Sequence, residues 1–407
     1  MNKQSQLEKL IAEFCPDGVE YKRLDDVCEF IKGKGLSKNV KGLGDVPIIL
    51  YGELYTTYGN YITDVVSTTS KKHVVFSPII KQGDLVLPIS STTKEAQIGK
   101  ASAYMANKPV YLGGDAILLR HNQNAGYLVY TLNGQWFEKL KMQCVFGTTI
   151  SHLHPDKLAK INIPIPPLPV QDEIVRILDT FTALEAELEK ELEARTKQYE
   201  YYRDELFSIS GDNVPIELLS DLVTIGDGLH GTPNYDESGD YYFINGNNLI
   251  DGHLEFFYGT KKVGEDSYKK HGIKFSSDKT IFMSINGTIG SVSLYNNEKI
   301  VLGKSVAYFN VKSHKLTKKY LYYFLQTNFS KAYYEKSLTG STIKNLGLKA
   351  LRNYGIPLPP LLVQEEIVAI LDRFEALVSD LKEGLPAEIA LRRKQYEYYR
   401  GKLLSFC

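Results

Sequence analysis

The chain carries two copies of one block, and this duplication constrains its fold more than any other feature. Residues 164–185 read PIPPLPVQDEIVRILDTFTALE, and residues 357–378 read PLPPLLVQEEIVAILDRFEALV. Positions 147–184 share 21 identities in 38 with the positions 193 residues later. The heptapeptide KQYEYYR occurs at 197–203 and again at 394–400. A period this long is not that of a solenoid, and it predicts two large units in one chain.

The stretches ahead of the two blocks have diverged almost completely. This pattern predicts one fixed scaffold that presents two different recognition surfaces. We divide the chain into four segments: 1–163 with an N-terminal helix, 164–211, 212–356 and 357–407. The first and third are variable units, whereas the second and fourth each hold a repeated proline segment and a helix.

Composition is that of a chain with packed cores, because 43% of its residues are hydrophobic. No run approaches the roughly 18 apolar residues that cross a bilayer. The start of the chain is amphipathic and is unlike a secretory signal. We therefore expect a cytoplasmic protein without a membrane partner. Cys15, Cys28, Cys144 and Cys407 lack CxxC spacing, which predicts free thiols.

The net charge of zero conceals an uneven distribution. Residues 1–163 hold 19 Lys and Arg against 15 Asp and Glu, and residues 212–356 hold 17 against 14. Residues 164–211 hold 5 against 11. The variable units are thus mildly basic, which is compatible with a polyanion partner but is weak evidence alone.

Each repeated block predicts a long helix after an extended proline segment. Heptad spacing of apolar and aromatic residues runs from Ile174 to Leu206 and again from Ile367 to Leu403. A helix of about 38 residues spans about 57 Å. In the second copy, four extra residues around GLP at 384–386 form a stutter, where we expect a kink or break.

Two such helices in one chain most simply pair antiparallel; a parallel dimer of two chains is the alternative. In KQYEYYR, Tyr201 and Tyr398 fall off the heptad seam and the other tyrosines lie on it. Exposed aromatic residues in both copies are suited to docking a partner protein. An aromatic-rich coiled-coil core with extra tyrosines on its flank is an equally good explanation of the same pattern. The candidate partner-binding residues are Tyr199, Tyr201, Tyr202, Tyr396, Tyr398 and Tyr399.

The variable units combine predicted strands and helices. Short β-branched and aromatic runs between glycine turns indicate strands at 46–55, 83–90, 240–246 and 279–285. Helical stretches follow at 127–141 and 320–336. The fold class is therefore α/β in the mixed, α+β sense. We expect two sheet-rich domains separated by two long antiparallel coiled-coil helices, related by an internal pseudo-twofold repeat.

Polar, glycine-containing loops between the strands carry residue types that contact phosphates and base edges. Lysine releases counterions from DNA, and Asn, Gln, Ser and Thr can pair with bases in the major groove. The first-unit candidates are Lys32, Lys34, Lys38, Ser91, Thr92, Thr93, Lys94, Thr148, Thr149 and Ser151. The second-unit candidates are Asn245, Asn247, Asn248, Lys261, Lys262, Asn286, Thr288, Ser341, Thr342 and Lys344. Each loop alone is unspecific.

The chain lacks recognisable catalytic motifs. GKS at 303–305 lacks the upstream glycine of a P-loop, so ATP hydrolysis is not supported. Both Pro-Pro pairs are followed by Leu, unlike the Asn-Pro-Pro-aromatic tetrad of amino-methyltransferases. The two acidic residues of PDGVEYK at 16–22 lie three positions apart, which favours a surface turn over a nuclease site. HLH at 152–154 has no further clustered metal ligand, which favours a loop over a metal site. We assign no catalytic residue, metal or cofactor to this chain.

The doubled VQ[DE]EIV and KQYEYYR blocks, with a Pro-Pro-Leu segment ahead of each helix, resemble the specificity subunit of a Type I restriction-modification system. The resemblance covers essentially the whole chain. CPDGVEYKRLDDV at 15–27 and VPIELLSDL at 214–222 resemble the family's entries into its two target-recognition domains.

The resemblance implies a noncatalytic subunit that binds double-stranded DNA and reads a bipartite, gapped site. Each target-recognition domain would read one half, and the helices would fix the gap. Two methyltransferase subunits and the restriction and translocase subunits are the implied protein partners. S-adenosylmethionine, ATP and Mg²⁺ are expected in those partners. A coiled-coil scaffold without DNA specificity and a stand-alone DNA modification enzyme remain the alternatives.

Overall fold

The computed structural model describes residues 5–36, 38–92, 97–147, 150–209, 214–250, 252–340, 344–379 and 384–406. Two compact units are present. The first unit comprises Met1–Glu187 with Ala390–Cys407, and the second comprises Leu188–Ile389. Each unit therefore contains one variable stretch and parts of both repeated helical blocks. The four-segment division of the sequence remains a prediction.

Fourteen helices are found in the described residues. Those before the second variable stretch are α1 (Gln6–Phe14), α2 (Leu24–Val27), α3 (Glu53–Thr56), α4 (Ala125–Leu132), α5 (Gln135–Met142), α6 (Pro155–Leu158) and α7 (Leu168–Ile209). The others are α8 (Leu219–Leu222), α9 (Glu265–His271), α10 (Lys318–Phe324), α11 (Asn328–Ser337), α12 (Leu348–Arg352), α13 (Leu361–Ser379) and α14 (Leu385–Ser405). None of the described helices is long and apolar enough to cross a membrane.

The strands are short, as the alternation of apolar runs and turns predicts. The first unit has β1 (Tyr21–Arg23), β2 (Cys28–Lys32), β3 (Val46–Ile49), β4 (Tyr61–Ile62), β5 (Ser67–Thr69), β6 (Ile79–Ile80), β7 (Leu85–Pro88), β8 (Ser90–Ser91), β9 (Ser102–Tyr104), β10 (Val110–Leu112), β11 (Ala116–His121), β12 (Val145–Phe146), β13 (Ser151–Leu153) and β14 (Asn162–Pro164). The second unit has β15 (Ile216–Leu218), β16 (Val223–Asp227), β17 (Tyr241–Ile244), β18 (Leu249–Ile250), β19 (His253–Leu254), β20 (Lys262–Val263), β21 (Thr280–Ser284), β22 (Val292–Leu294), β23 (Ile300–Leu302), β24 (Val306–Val311), β25 (Leu338–Thr339), β26 (Asn345–Leu346) and β27 (Gly355–Pro357).

Each unit packs two main sheets. In the first unit the strand orders are β2-β11-β7-β9-β4 and β5-β3-β10-β6. In the second they are β16-β24-β21-β22 and β20-β17-β23. A two-stranded ribbon closes each variable stretch, with Tyr21 opposite Pro164 in β1–β14 and Ile216 opposite Pro357 in β15–β27. The chain thus enters and leaves each variable stretch side by side.

A buried glutamine explains why VQ[DE]EIV occurs twice. Gln171 and Gln364 are both 0% exposed. In the first unit, the N–H of Asn124, the N-cap of α4, donates to Gln171 Oε1 at 3.0 Å, and Gln171 Nε2 donates to the Pro166 carbonyl at 2.7 Å. Because its amide group is satisfied on both sides, this glutamine fixes the start of α7 against α4.

The second unit repeats this arrangement. Thr317, the N-cap of α10, donates its N–H to Gln364 Oε1 at 2.9 Å. Gln364 Nε2 donates to the Pro359 carbonyl at 2.9 Å. The repeated glutamine therefore makes equivalent bonds in two units whose other residues differ.

Tyrosines add a second repeated link between each variable stretch and its helix. Tyr130 donates its hydroxyl to Asp179 at 2.6 Å in the first unit, and Tyr323 donates to Asp372 at 2.5 Å in the second. Burial, together with the neighbouring carboxylate, raises the pKa of Tyr130 and keeps the phenol a donor.

The repeated helical blocks contact each other within each unit, and in the first unit the contacts show that they run antiparallel. In the first unit, Phe181 of α7 stacks on Tyr399 of α14 at 5.4 Å between ring centroids, and Glu185 pairs with Arg393 at 2.5 Å. Residue numbers rise along one helix as they fall along the other. In the second unit, Tyr202 stacks on Phe374 at the same 5.4 Å. The antiparallel coiled-coil prediction is confirmed.

Three details of the helix predictions were wrong. The first proline segment is not extended throughout as predicted: α7 begins at Leu168 and has Pro169 in its first turn, where no intrahelical N–H bond is needed. The predicted helix 127–141 is two helices, α4 and α5, since Gly134 is the extended N-cap of α5. The predicted 320–336 helix divides likewise into α10 and α11.

The expected break near GLP is present. Gly384 lies in a bend, and α14 starts at Leu385 with Pro386 in its first turn. The Gly384 carbonyl accepts the N–H groups of Ala387 and Glu388. Residues 380–383, which contain the other inserted positions, lie outside the described residues.

We expect Gln171→Leu and Gln364→Leu each to lower the free energy of unfolding of its own unit by about 1–3 kcal/mol. Each change leaves a buried N–H and a carbonyl without a partner. Urea denaturation followed by circular dichroism measures the effect. Gln143→Leu is the matched control, because Gln143 is exposed. Equal stability of all three variants would contradict the structural role of the repeated glutamine.

Candidate nucleic-acid interface

A cleft in the second unit collects several polar residues that the sequence indicated. Asn245 and Asn247, from the turn after β17, and Asn286, two residues beyond β21, line a space of about 650 Å³. We call it the second-unit cleft. Its walls also include Asp227, His230, Lys304, Ser305 and Asn345, which were not among the candidates.

Long-range contacts brace the loops of this cleft. Asn286 pairs with Asn345 in an antiparallel β-bridge. The Gly246 N–H donates to the hydroxyl of Ser305 at 3.0 Å. These contacts join residues far apart in sequence, so sequence patterns gave no signal for Asn345 or Ser305. The GKS tripeptide does contribute Lys304 and Ser305, although it is no P-loop.

Asn248 holds the turn from within. It is 5% exposed, and its side-chain oxygen accepts the N–H of Asn245 at 3.0 Å. Its amide nitrogen donates to the Glu255 carbonyl at 2.9 Å and to the Thr260 hydroxyl at 3.2 Å. By contrast, Asn245 and Asn247 are exposed. Asn248 therefore orients the turn. The side chain of Asn247 is exposed, and that of Asn245, also exposed, accepts the Ser305 hydroxyl at 3.4 Å through its oxygen.

Charged groups are distributed around the cleft. His230 Nε2 lies 2.6 Å from a carboxylate oxygen of Asp227, and Lys304 is exposed at the wall. Farther along the chain, Lys261 is exposed, whereas Lys262 lies 5.0 Å from the centroid of the Tyr242 ring. A lysine over an aromatic ring is attracted to the negative face of that ring.

The remaining second-unit candidates lie on exposed loops or outside the described part. Thr288 is exposed, and its carbonyl accepts the hydroxyl of Ser284. Lys344 is exposed directly before β26. Ser341 and Thr342 lie outside the described residues.

The first unit has a polar cluster at the corresponding place. Ser90 donates its hydroxyl to Asp115 at 3.1 Å and lies 2.9 Å from His152 Nδ1. Asp115 adopts a left-handed conformation with φ of 61°. Beside the cluster, Phe146 stacks on His154 at 3.9 Å between centroids. We call Ser90, Asp115 and His152 the first-unit cluster.

The two sites share a backbone frame and differ in side chains. Ser90 pairs with His152 across β8 and β13, and Asn286 pairs with Asn345 in the second unit. His152 and Asn345 occupy the same position of the repeated block, 193 residues apart. The duplicated scaffold thus holds a buried serine and a half-buried histidine in one unit and two half-buried asparagines in the other.

The first-unit candidates are dispersed. Lys32, Lys34 and Lys38 are exposed at and after the end of β2, and Thr92 is exposed. Ser91 is 4% exposed and Ser151 is half-buried in β13. Thr93, Lys94, Thr148 and Thr149 lie outside the described residues.

The exposure of the repeated tyrosines follows the heptad only in part, because the seam residues Tyr202 and Tyr399 are still 40% and 42% exposed. Tyr201 and Tyr398 are 62% and 64% exposed. Tyr202 and Tyr399 stack on phenylalanines of the partner helix segment within their own units. Tyr199 is buried, and Tyr396 is half-buried. Tyr201 and Tyr398 are therefore the two most accessible members of the set.

No cluster of His, Cys, Asp or Glu suited to a metal ion occurs within the described part of the chain. The free thiols Cys15, Cys28 and Cys144 are buried. Burial raises the pKa of Cys28 to about 12, so this thiol is not a nucleophile near neutral pH.

Sequence comparison matches residues 16–197 and 218–391 to the family described as Type I restriction modification DNA specificity domain. A Haemophilus influenzae protein provisionally named a type I restriction enzyme specificity subunit is 31% identical over 100% of this chain and 99% of its own length. The EcoR124I/EcoR124II specificity subunit of Escherichia coli is 36% identical over 61% of this chain and 63% of its own length.

Structural comparison supports the same fold. A chain solved in work on complex assembly and conformational transition of the type I R-M system has a TM-score of 0.62. The match covers 95% of this chain and 98% of that chain at 17% sequence identity. The scaffold fold is therefore shared although most residues differ.

We expect Asn248→Ala to lower the free energy of unfolding of the second unit by about 1–3 kcal/mol, because it leaves the N–H of Asn245 and the Glu255 carbonyl without their partner. Asn247→Ala, at the exposed neighbouring position, should change it by less than about 0.5 kcal/mol. Thermal unfolding of both variants makes the comparison. A neutral Asn248→Ala would show that its bonds do not hold the turn.

Proposed function

The chain belongs to the family of Type I restriction modification DNA specificity domains, and from this membership we propose that its two units each read one half of a bipartite, gapped DNA site. It is a noncatalytic subunit that provides DNA sequence recognition in a restriction-modification system. One observation carries the two-half proposal: equivalent backbone positions hold Ser90 and His152 in one unit and Asn286 and Asn345 in the other. Two different side-chain sets on one frame suit two different half-sites.

The chemistry of the second-unit cleft suits base edges. A side-chain amide can pair with adenine through its N6 and N7 atoms, and hydroxyls pair with several bases. Asn245, Asn247 and Asn286 offer exposed or half-buried amides, and Asn345 adds another. Asn248 positions the turn that carries Asn245 and Asn247.

Lysines of both units suit the phosphate backbone. Lys32, Lys34 and Lys38 in the first unit and Lys261 and Lys344 in the second are exposed. Such contacts supply affinity and register without reading sequence. The basic excess of both variable stretches is in keeping with double-stranded DNA as the ligand.

Protein partners follow from the family role. We propose that two methyltransferase subunits and the restriction and translocase subunits assemble on this chain in the cytoplasm. Tyr201 and Tyr398, exposed at equivalent positions of the two helical blocks, are the proposed docking residues. S-adenosylmethionine, ATP and Mg²⁺ would then act in the partner subunits. The helices would set the gap between half-sites.

Mapping of methylated adenine in cellular DNA, with and without this gene, tests the proposed function. Loss of methylation at one asymmetric, gapped motif is the expected result. Methylation that stays the same at every motif would contradict it and would favour a scaffold role. Methyl transfer by the purified chain alone would contradict the noncatalytic assignment.

A double variant of the second-unit cleft should change one half-site only. We expect Asn247→Ala with Asn286→Ala to relax selectivity at one or two base pairs of that half, at about 1–3 kcal/mol per lost base contact. Lys261→Ala is the control, because loss of a phosphate contact weakens binding evenly across sequences. Methylation mapping of the complex reports both half-sites together, and altered selectivity in both would contradict the assignment.

A further inference from the structure

Two adjacent apolar side chains of the first unit project from the tip of a loop. Phe76 is 80% exposed and Val75 is 69% exposed. The residues on either side of this pair are buried. Val74 packs in a core cluster with Leu36, and Ser77 is 8% exposed. The loop is therefore anchored at both ends, and the packing of the unit does not account for the two apolar side chains between the anchors.

Hydrogen bonds join this loop to the first-unit cluster. The Ser77 hydroxyl donates to the Lys34 carbonyl at 2.6 Å. One residue earlier, the Gly33 N–H donates to the Ala116 carbonyl at 2.9 Å. Ala116 directly follows Asp115, which belongs to the first-unit cluster. The exposed tip and the candidate reading site are thus parts of one connected set of loops.

The two stretches of chain that meet at this loop are rich in lysine. Residues 30–44 and 65–83 contain no Asp or Glu. Their lysines are all exposed: Lys32, Lys34, Lys38, Lys41, Lys71, Lys72 and Lys81. The acidic residues at the ends of the two stretches are Glu29, Asp45, Asp64 and Asp84, so lysines remain in excess, seven to four. DNA suits this combination, because it has phosphates outside and flat apolar base faces within.

The second unit has the same combination on a different loop. Tyr258, in the turn between β19 and β20, is fully exposed. The Thr260 hydroxyl braces this turn, since its oxygen accepts the Phe257 N–H at 2.9 Å and the Asn248 amide at 3.2 Å. Asn248 is the residue that orients the turn of the second-unit cleft, and Lys261 is exposed close by in sequence. Each unit therefore holds an exposed aromatic ring on a braced loop bonded to its own candidate reading site.

We propose that Phe76 and Tyr258 each insert between neighbouring base pairs of the half-site that their unit reads. This inference rests on the proposed function. An aromatic side chain that enters a base step unstacks it and kinks the duplex, and the deformation costs least at flexible pyrimidine–purine steps. The nearby lysines hold the phosphates beside the kink. Selectivity then arises at a step that the amide and hydroxyl groups do not contact.

The test uses the complex of this chain with its modification subunits, bound to a duplex that carries the mapped methylation motif. Dyes at the duplex ends report bending by energy transfer, and 2-aminopurine placed in turn at steps away from the methylated adenines reports unstacking. Phe76→Ala should abolish the fluorescence increase at one step of one half-site, reduce the bend and raise the dissociation constant about tenfold. Tyr258→Ala should do so in the other half-site only, and Phe76→Trp should restore unstacking.

Matched variants separate insertion from other roles. Phe14→Ala, at the exposed end of α1, should change neither unstacking nor bending. Lys71→Ala should weaken binding without moving the unstacked step. Because the replaced side chains are exposed, thermal unfolding should show all variants to be folded.

Two results would overturn the inference alone. One is equal unstacking and bending by the unaltered complex and both alanine variants on a mapped motif. The other is loss of the modification subunits from Phe76→Ala with unstacking intact, which would make the tip a protein-docking surface. Absence of any methylated motif would instead contradict the proposed function, and this inference with it.

Discussion

Each unit completes its core with segments from both repeated helical blocks, and the rest of the structure depends on this constraint. In the first unit, Val170, Ile174 and Leu178 of α7 are buried together with Leu404 of α14. In the second, Tyr199 and Phe207 of α7 are buried with Ile367 and Leu371 of α13. Burial of one large apolar side chain contributes about 1.5–3 kcal/mol, so these segments are integral to each core. A variable stretch cannot reorient on its helices without exposing them.

The repeated residues fix this arrangement, and the variable residues are free to differ above it. The glutamine and tyrosine links recur with distances within a few tenths of an ångström in both units. Beyond these links the two units differ. In the first unit Ser90 pairs with His152 of β13, and in the second unit Asn286 pairs with Asn345 at the corresponding place. Specificity can thus change while the frame that presents it stays constant. Because the repeated residues form the frame and the variable residues differ above it, the two halves of the chain are strongly alike in some stretches and almost unrelated in sequence in others.

The sequence predicted the features that rest on local or periodic signals. The duplication, the long antiparallel helices, the break near Gly384 and the exposure of Tyr201 and Tyr398 follow from heptads and repeats. Residues joined by long-range contacts gave no such signal, which is why Asn345, bridged to Asn286, was missed in the cleft. Asn248 resembled its neighbours in sequence, and only the hydrogen bonds of the folded turn reveal that its side chain is engaged.

The central claim is that two readers occupy equivalent places on one duplicated frame. Grafting residues 24–163 in place of residues 219–356 would put the first reader in both positions, and methylated adenine would then be mapped in cells that carry the remaining subunits. The account predicts that the modified motif becomes an interrupted inverted repeat of the first half-site. Methylation at the original asymmetric motif by the grafted chain would contradict it.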